Sequence, residues 1–342
     1  MSPPNPLSID GRVFDPAEIS DESRGFIASL QRLASELPKW YEIGAAEYRR
    51  LRAEGGTVLP GPTLLPSASD LSVPSREPNR TIPCRVLKPQ HGQPAKAVFM
   101  HIHGGGWCLS DEKSHDQMLQ EIADTHGVVC LSVGYRLAPE NPFPAGPHDC
   151  FDVAEWLVEN AKSVFQAPLA FVGGDSAGAH LSTLVALHLL RHADARFSQF
   201  RLKGLILLYG CFSLSWTPGV YSFARRVPSL VLDLEIMDAF RNAFLPGWSQ
   251  ATLENPDVSP LYADLASLRG KLPPALFTCG TEDYLLDDTL FMSMRWLAAG
   301  GGVDVKIVPG APHGFISFPR ATVGSGTAEG RQAMDDFLQK HL

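Results

Sequence analysis

The pattern that most restricts this 342-residue chain is an alternation, through its middle and C-terminal parts, of short apolar runs with helix-length stretches. Strand candidates fall at residues 71–74, 81–88, 95–102, 128–135, 169–173, 205–209, 275–279 and 303–308, eight in all. The last six are separated by segments long enough to cross back over a sheet, among them 114–126, 149–164, 176–192 and 287–299. Strands joined by helical crossovers run parallel, and the crossover helices cover both faces of the sheet. The expected class is therefore α/β, with a mostly parallel eight-stranded sheet flanked by helices.

Three segments depart from the rhythm. Residues 10–55 are helical in pattern, with Phe26, Ile27, Leu30, Leu33 and Leu37 at spacings of three and four, and Pro38 divides them into a pair of helices. Residues 56–79 are rich in Pro, Gly and Ser and read as a connector. Residues 213–268 separate two strand candidates by more than a crossover needs and hold a helix at 234–244, so they read as an insertion over the sheet. A last helix at 327–341 closes the fold. The chain thus divides into 1–55, 56–212, 213–268 and 269–342.

Composition excludes several classes of protein. With 44% hydrophobic and 19% charged residues the chain is globular, and a formal net charge of −8 argues against nucleic acid as a partner. The longest apolar stretch, 181–190, contains Ser182, Thr183 and His188 and is far shorter than the roughly 20 residues of a membrane span. Residues 1–6 lack the basic start and apolar run of a secretory signal, so the expectation is a cytoplasmic protein. The six cysteines show no C-x-x-C spacing and are expected to be reduced, mostly buried thiols.

The chemistry concentrates in three places. Gly174-Asp175-Ser176-Ala177-Gly178 follows the strand candidate 169–173 and opens the next helix. A serine on so sharp a turn takes a strained backbone conformation with close neighbours, which glycines on both flanks permit, and its hydroxyl projects above the sheet. His103-Gly104-Gly105-Gly106-Trp107 ends the strand candidate 95–102 and reaches the same rim. The N–H groups of Gly105, Gly106 and Ala177 are the expected donors to an oxyanion. A serine nucleophile needs a base, and the base an orienting acid. His313 lies in a glycine-flanked loop after the last strand, and Glu282, Asp283, Asp287 and Asp288 follow the strand before it. Spacing alone does not choose among these four, since Asp287 and Asp288 also suit the first turn of a helix.

Other histidines read as structural. His188 and His192 have the spacing of a metal pair, but no third ligand is placed in sequence, so no metal site is expected. His180 shares a helix with Ser176 and cannot face its hydroxyl from across a cleft, which makes it a packing residue.

Taken together these motifs resemble the hormone-sensitive-lipase family of serine esterases, bacterial family IV, within the α/β-hydrolase fold. The resemblance covers residues 80–342. It rests on His103 to Trp107, Tyr135-Arg136-Leu137-Ala138-Pro139-Glu140, Phe143-Pro144-Ala145, Gly174 to Gly178, Ser259-Pro260-Leu261 and Pro312-His313-Gly314-Phe315. The family's acid motif, D-x-L-x-D, corresponds to Asp283-Tyr284-Leu285-Leu286-Asp287, with Tyr284 where proline is common. The resemblance therefore selects Asp283 as the acid and Asp287 as motif support, alongside His103, Gly104 and Asp175. It further implies a helical cap built from 1–55 and 213–268, with Trp107, Phe212 and Trp216 as pocket candidates, and allows a homodimer. The implied activity is a carboxylesterase acting on short- to medium-chain esters of small molecules through Ser176, His313 and Asp283, without a cofactor. Two alternatives are an amide hydrolase of arylformamidase kind on the same triad and a non-catalytic ligand receptor; the receptor group lacks the catalytic histidine.

Overall fold

The computed structural model describes residues 8–90, 92, 94–225 and 230–342; residues 1–6, read above for a missing signal, lie outside them. Eight strands form one sheet: β1 (Ser69–Pro74), β2 (Thr81–Leu87), β3 (Ala97–Ile102), β4 (Val128–Val133), β5 (Leu169–Asp175), β6 (Gly204–Leu208), β7 (Ala275–Glu282) and β8 (Val303–Pro312). Their spatial order is β1-β2-β4-β3-β5-β6-β7-β8. The pairs β1–β2 and β2–β4 are antiparallel, and every pair from β4 to β8 is parallel. The central strands β3, β4 and β6 are buried at every residue, which is why their sequences are continuously apolar and do not alternate.

Eleven helices complete the described chain: α1 (Asp21–Glu36), α2 (Trp40–Ile43), α3 (Ala45–Ala53), α4 (Asp116–His126), α5 (Ala145–Phe165), α6 (Ala177–Arg191), α7 (Ala195–Ser198), α8 (Pro218–Ala224), α9 (Leu234–Phe244), α10 (Leu286–Ala298) and α11 (Thr327–His341). Buried clusters on both sides of the sheet share its strands: one holds Val98, Met100, Leu157 and Val185, the other Phe99, Leu119, Ile206 and Phe337. All six cysteines are buried, and none is in a disulfide. No helix among the described residues is long and apolar enough to cross a membrane.

The topology locates the site. From β3 the chain moves to β4 on one side and then to β5 on the other, so a crevice opens at the carboxyl ends of β3 and β5, where connecting loops diverge. The His103–Trp107 loop leaves β3 there, and Ser176 leaves β5. At the far side, β7 and β8 run longer than their apolar cores, past a register shift to the pair Glu282 and Pro312. Asp283 and His313 are the next residues on each strand, so the ladder itself delivers them side by side.

Described residues from before β1, among them Trp40 and Tyr48, and from between β6 and β7, among them Trp216 and Phe240, line the cavity at this crevice. Where two helices were expected in residues 10–55, three form, because Pro38 is followed by the short α2 whose Trp40 stacks flat on Phe240 of α9. Lys39 pairs with Asp233 at 2.8 Å, fixing the same junction. The insertion is anchored at its root by α10. Asp288, fully buried, accepts hydrogen bonds from the N–H groups of Phe212 and Ser213 and from the Thr217 hydroxyl, at 2.7, 2.9 and 2.9 Å. Asp287 accepts from the Gly219 N–H at 2.6 Å. These first-turn acids therefore hold the insertion in addition to facing the helix dipole.

Candidate active site

Ser176 is the first residue beyond β5 and has φ 55° and ψ −118°, a conformation outside the regions ordinary side chains favour. Its N–H donates to the Leu208 carbonyl at 2.8 Å, which pins the turn to β6. A side chain at Gly174 or Gly178 would collide with the Ile102 carbonyl, so both flanking glycines are required by the approach of β3.

Across the crevice, Ser176 Oγ lies 2.9 Å from His313 Nε2. His313 Nδ1 lies 2.8 and 3.0 Å from the two oxygens of Asp283. An ionised carboxylate only accepts, so Nδ1 carries the proton and the lone pair of Nε2 faces the serine hydroxyl. Asp283 is held by the Leu285 N–H at 2.9 Å and its side chain is fully shielded from solvent.

The His103–Trp107 loop is tied to the serine turn. Gly104 N–H donates to Asp175 Oδ1 at 3.0 Å, and His103 stacks on Tyr135, whose hydroxyl donates to the His103 carbonyl at 2.9 Å. Gly105 has φ +105°, and the N–H groups of Gly105, Gly106 and Ala177 make no hydrogen bond among the described residues; all three residues line the cavity that holds Ser176. From α3, Arg49 braces the loop, donating to the carbonyls of Cys108 and Ala138 at 2.7 and 2.9 Å while pairing with Glu140. A Cβ at Gly106 would overlap the Phe240 ring, so α9 rests directly on this loop.

Burial keeps the surrounding imidazoles neutral: His101 is shifted well below the usual histidine range, His115 to about 3 and His180 to about 4. His180 accepts from Trp107 Nε1 at 3.1 Å and donates to the Val258 carbonyl at 2.9 Å, the packing role its position on the helix implied.

Ser176 opens into a partly enclosed cavity lined from below by Trp107 and Tyr209 and from above by Trp40, Trp216, Ile236 and Phe240. Trp107 and Trp216 thus reach the cavity, whereas Phe212 does not. Its N–H is held by Asp288, and its ring is fully buried 6.0 Å from that of Phe277, turned into the core. Trp40 and Phe240, absent from the sequence reading, take part because the chain ahead of β1 folds back on the insertion, a long-range contact without a local signal. A second correction concerns His188 and His192. A third group does stand there: Glu155 Oε1 is 2.6 Å from His188 Nε2 and 3.7 Å from His192 Nε2. The Asp194 N–H donates to His192 Nδ1 at 3.0 Å, so the His192 proton sits on Nε2 and points at the carboxylate. The three side chains are tied to one another and to the backbone, with no lone pair offered by His192 to a metal.

A mostly parallel sheet with a strained serine between strand and helix, glycine-rich N–H donors after β3 and an acid and histidine after the last two strands is the architecture of an α/β hydrolase. The family described as alpha/beta hydrolase fold matches residues 99–317. The chain belongs to that family, in its hormone-sensitive-lipase-like branch. Over 253 residues, 73% of this chain and 76% of the relative, it is 32% identical to carboxylesterase NlhH of Mycobacterium tuberculosis (strain CDC 1551 / Oshkosh). It is 29% identical over 316 residues to an ethyl acetate hydrolase of Pseudomonas putida, covering 91% of this chain and 95% of that one. Among solved structures, a hyperthermophilic esterase from the archaeon Pyrobaculum calidifontis superposes with a TM-score of 0.75 at 25% identity, over 92% of this chain and 96% of the other.

Proposed function

We propose that this chain is a carboxylesterase that hydrolyses short- to medium-chain acyl esters of small molecules, with Ser176 as nucleophile, His313 as general base and Asp283 as its orienting acid. The observation that carries the reading is the unbroken hydrogen-bonded line from Ser176 Oγ through the His313 ring to the buried Asp283 carboxylate, at 2.9 and 2.8 Å. The names of the relatives support the reaction class. Residues 1–55 and 213–268 act as the cap, and 56–212 with 269–342 as the catalytic domain.

The reaction runs in two halves. Ser176 Oγ attacks the ester carbonyl as Nε2 of His313 takes its proton, and the imidazolium so formed is stabilised by Asp283. Negative charge on the former carbonyl oxygen is received by the N–H groups of Gly105, Gly106 and Ala177, each worth about 2.7–4 kcal/mol in related sites. The tetrahedral species collapses, and the alcohol leaves with the proton from Nε2. Water then attacks the acyl carbon as the same nitrogen takes its proton, and the second tetrahedral species releases the acid as Ser176 Oγ takes that proton back from Nε2. Every proton and charge is handled by the chain's own groups, so a metal or organic cofactor has no step to supply.

A p-nitrophenyl ester series with acyl chains from acetyl to palmitoyl, run on the wild type and Ser176→Ala, tests the reading. The variant is expected to lose kcat on the order of 10⁶-fold with its fold intact. Retention of more than about a tenth of the activity refutes the nucleophile. The chain-length optimum measures how much of the cavity the acyl group fills.

A further inference from the structure

Among the described residues, the cavity wall holds one cation with no anion to balance it. Helix α3 carries Arg49, Arg50 and Arg52. Arg49 is engaged by Glu140 and two carbonyls, and Arg50 by Glu47 and Glu54, each at 2.7 Å. Arg52 lines the same cavity as Ser176, yet its guanidinium makes no hydrogen bond or ion pair with any described residue. Lys39, the other described lysine or arginine on that wall, is held by Asp233 and Glu235 at 2.8 and 3.3 Å. The lining acid, Asp175, is occupied by the Gly104 N–H.

A guanidinium half withdrawn from water without a partner has lost hydration with nothing in exchange. Acids are available on the same helix, and they are spent on Arg50. The charge also acts beyond the wall: after burial, Arg52 is the next cause holding His115 down to about 3, and it adds to the lowering of His103. His103 opens the glycine loop and His115 lies 3.5 Å from Asp175 beside the serine turn, so the field of Arg52 spans the ground between the cavity and the reacting centre.

We infer that Arg52 is a specificity residue that receives a carboxylate carried by the substrate, so that the preferred ester is a monoanion with its charge remote from the scissile bond. This rests on the esterase reading above. The planar fork of a guanidinium pairs two-point with a carboxylate. A carboxylate also suits a chain of net charge −8 better than a dianionic phosphate, which the overall field opposes more strongly. The carboxylate belongs either to the acyl or to the alcohol part of the ester.

The test compares kcat/KM within two matched pairs of esters followed by pH-stat: monomethyl adipate against methyl hexanoate, and 4-acetoxybutanoate against butyl acetate. Each is run on the wild type, Arg52→Gln and Arg52→Lys. The anionic-to-neutral ratio is expected to fall about tenfold in Arg52→Gln for one pair, to be partly retained in Arg52→Lys, and to shrink in the wild type as salt is raised. The pair that responds tells which side of the ester carries the charge. General damage to the pocket lowers both members and leaves the ratio unmoved. A ratio unchanged in both pairs, or a wild type that cleaves only the neutral esters, overturns the role of Arg52 while leaving the esterase reading standing. Failure of the wild type on all four esters, with the fold intact, overturns both.

Discussion

Replacing Asp283 with asparagine separates the geometry of the acid from its charge. The side chain is shielded from solvent, with Oδ1 bound by the Leu285 N–H at 2.9 Å and Oδ2 lying 2.8 Å from His313 Nδ1. Asparagine has the same shape, and its carbonyl oxygen takes the Leu285 position because an NH2 group cannot face another N–H. The amide nitrogen then stands where Oδ2 was, and as a donor it forces Nδ1 to become the acceptor. The proton moves to Nε2, and the lone pair that faced Ser176 Oγ is lost. The expected loss is about 10⁴ in kcat, equal to about 5.5 kcal/mol of barrier, as found when the same change is made in other triad serine enzymes. The substrate does not touch Asp283, so KM should change by less than about threefold. Steady-state hydrolysis of p-nitrophenyl butyrate measures both constants, and calorimetry checks that the variant is folded. A loss smaller than about tenfold, or a larger loss in Glu282→Gln than in Asp283→Asn, refutes the assignment of the acid.

Asp288 offers a test of stability against pH. Burial raises its carboxyl from 3.8 to about 7, opposed by the hydroxyl of Thr217 and the N–H groups of Phe212 and Ser213. Between those values the folded state binds a proton that the unfolded state releases, so this group's contribution falls as pH rises from about 4 to about 7 and is constant above. Asp288→Asn does not titrate, so the gap in Tm between wild type and variant should narrow in the wild type's disfavour over that window. A gap constant from pH 4.5 to 7.5 contradicts this. Arg49→Met removes the brace on the glycine loop and should cost about 2 kcal/mol in urea unfolding, since two half-buried charge-assisted hydrogen bonds are lost. Arg49→Lys should not restore it, because a lysine cannot serve both carbonyls and Glu140 at once. Full stability in either variant rules the brace out.

The order of strands and helices was legible because crossovers leave a strong periodic trace, and the helices at Leu234–Phe244 and Thr327–His341 begin and end where their patterns do. The ends of β7 and β8 were not. Gly280-Thr281-Glu282 and Pro309-Gly310-Ala311-Pro312 look like loop, yet pairing carries on through them because each strand offers the other its free backbone groups. The serine turn and the glycine loop could be located from a few adjacent residues, since their strain and exposed N–H groups are local properties. The upper wall could not. Phe212 follows β6 as a pocket residue would, but a carboxylate 76 positions away decides where its backbone lies. Glu155 was likewise invisible as the partner of His188 and His192, because adjacency of α5 and α6 is set by packing.

The overlap that a Cβ at Gly106 would make with Phe240 binds two tasks that are often thought of as separable. The ring that lines the cavity at Ser176 is also the surface against which Gly106 is seated. Efforts to widen the chamber at position 240 therefore also alter the seat of the donor loop, and substitutions at the two places are epistatic. A breeder of new specificities in this scaffold gains more freedom at Trp216 or Ile236, which line the chamber, than at Phe240.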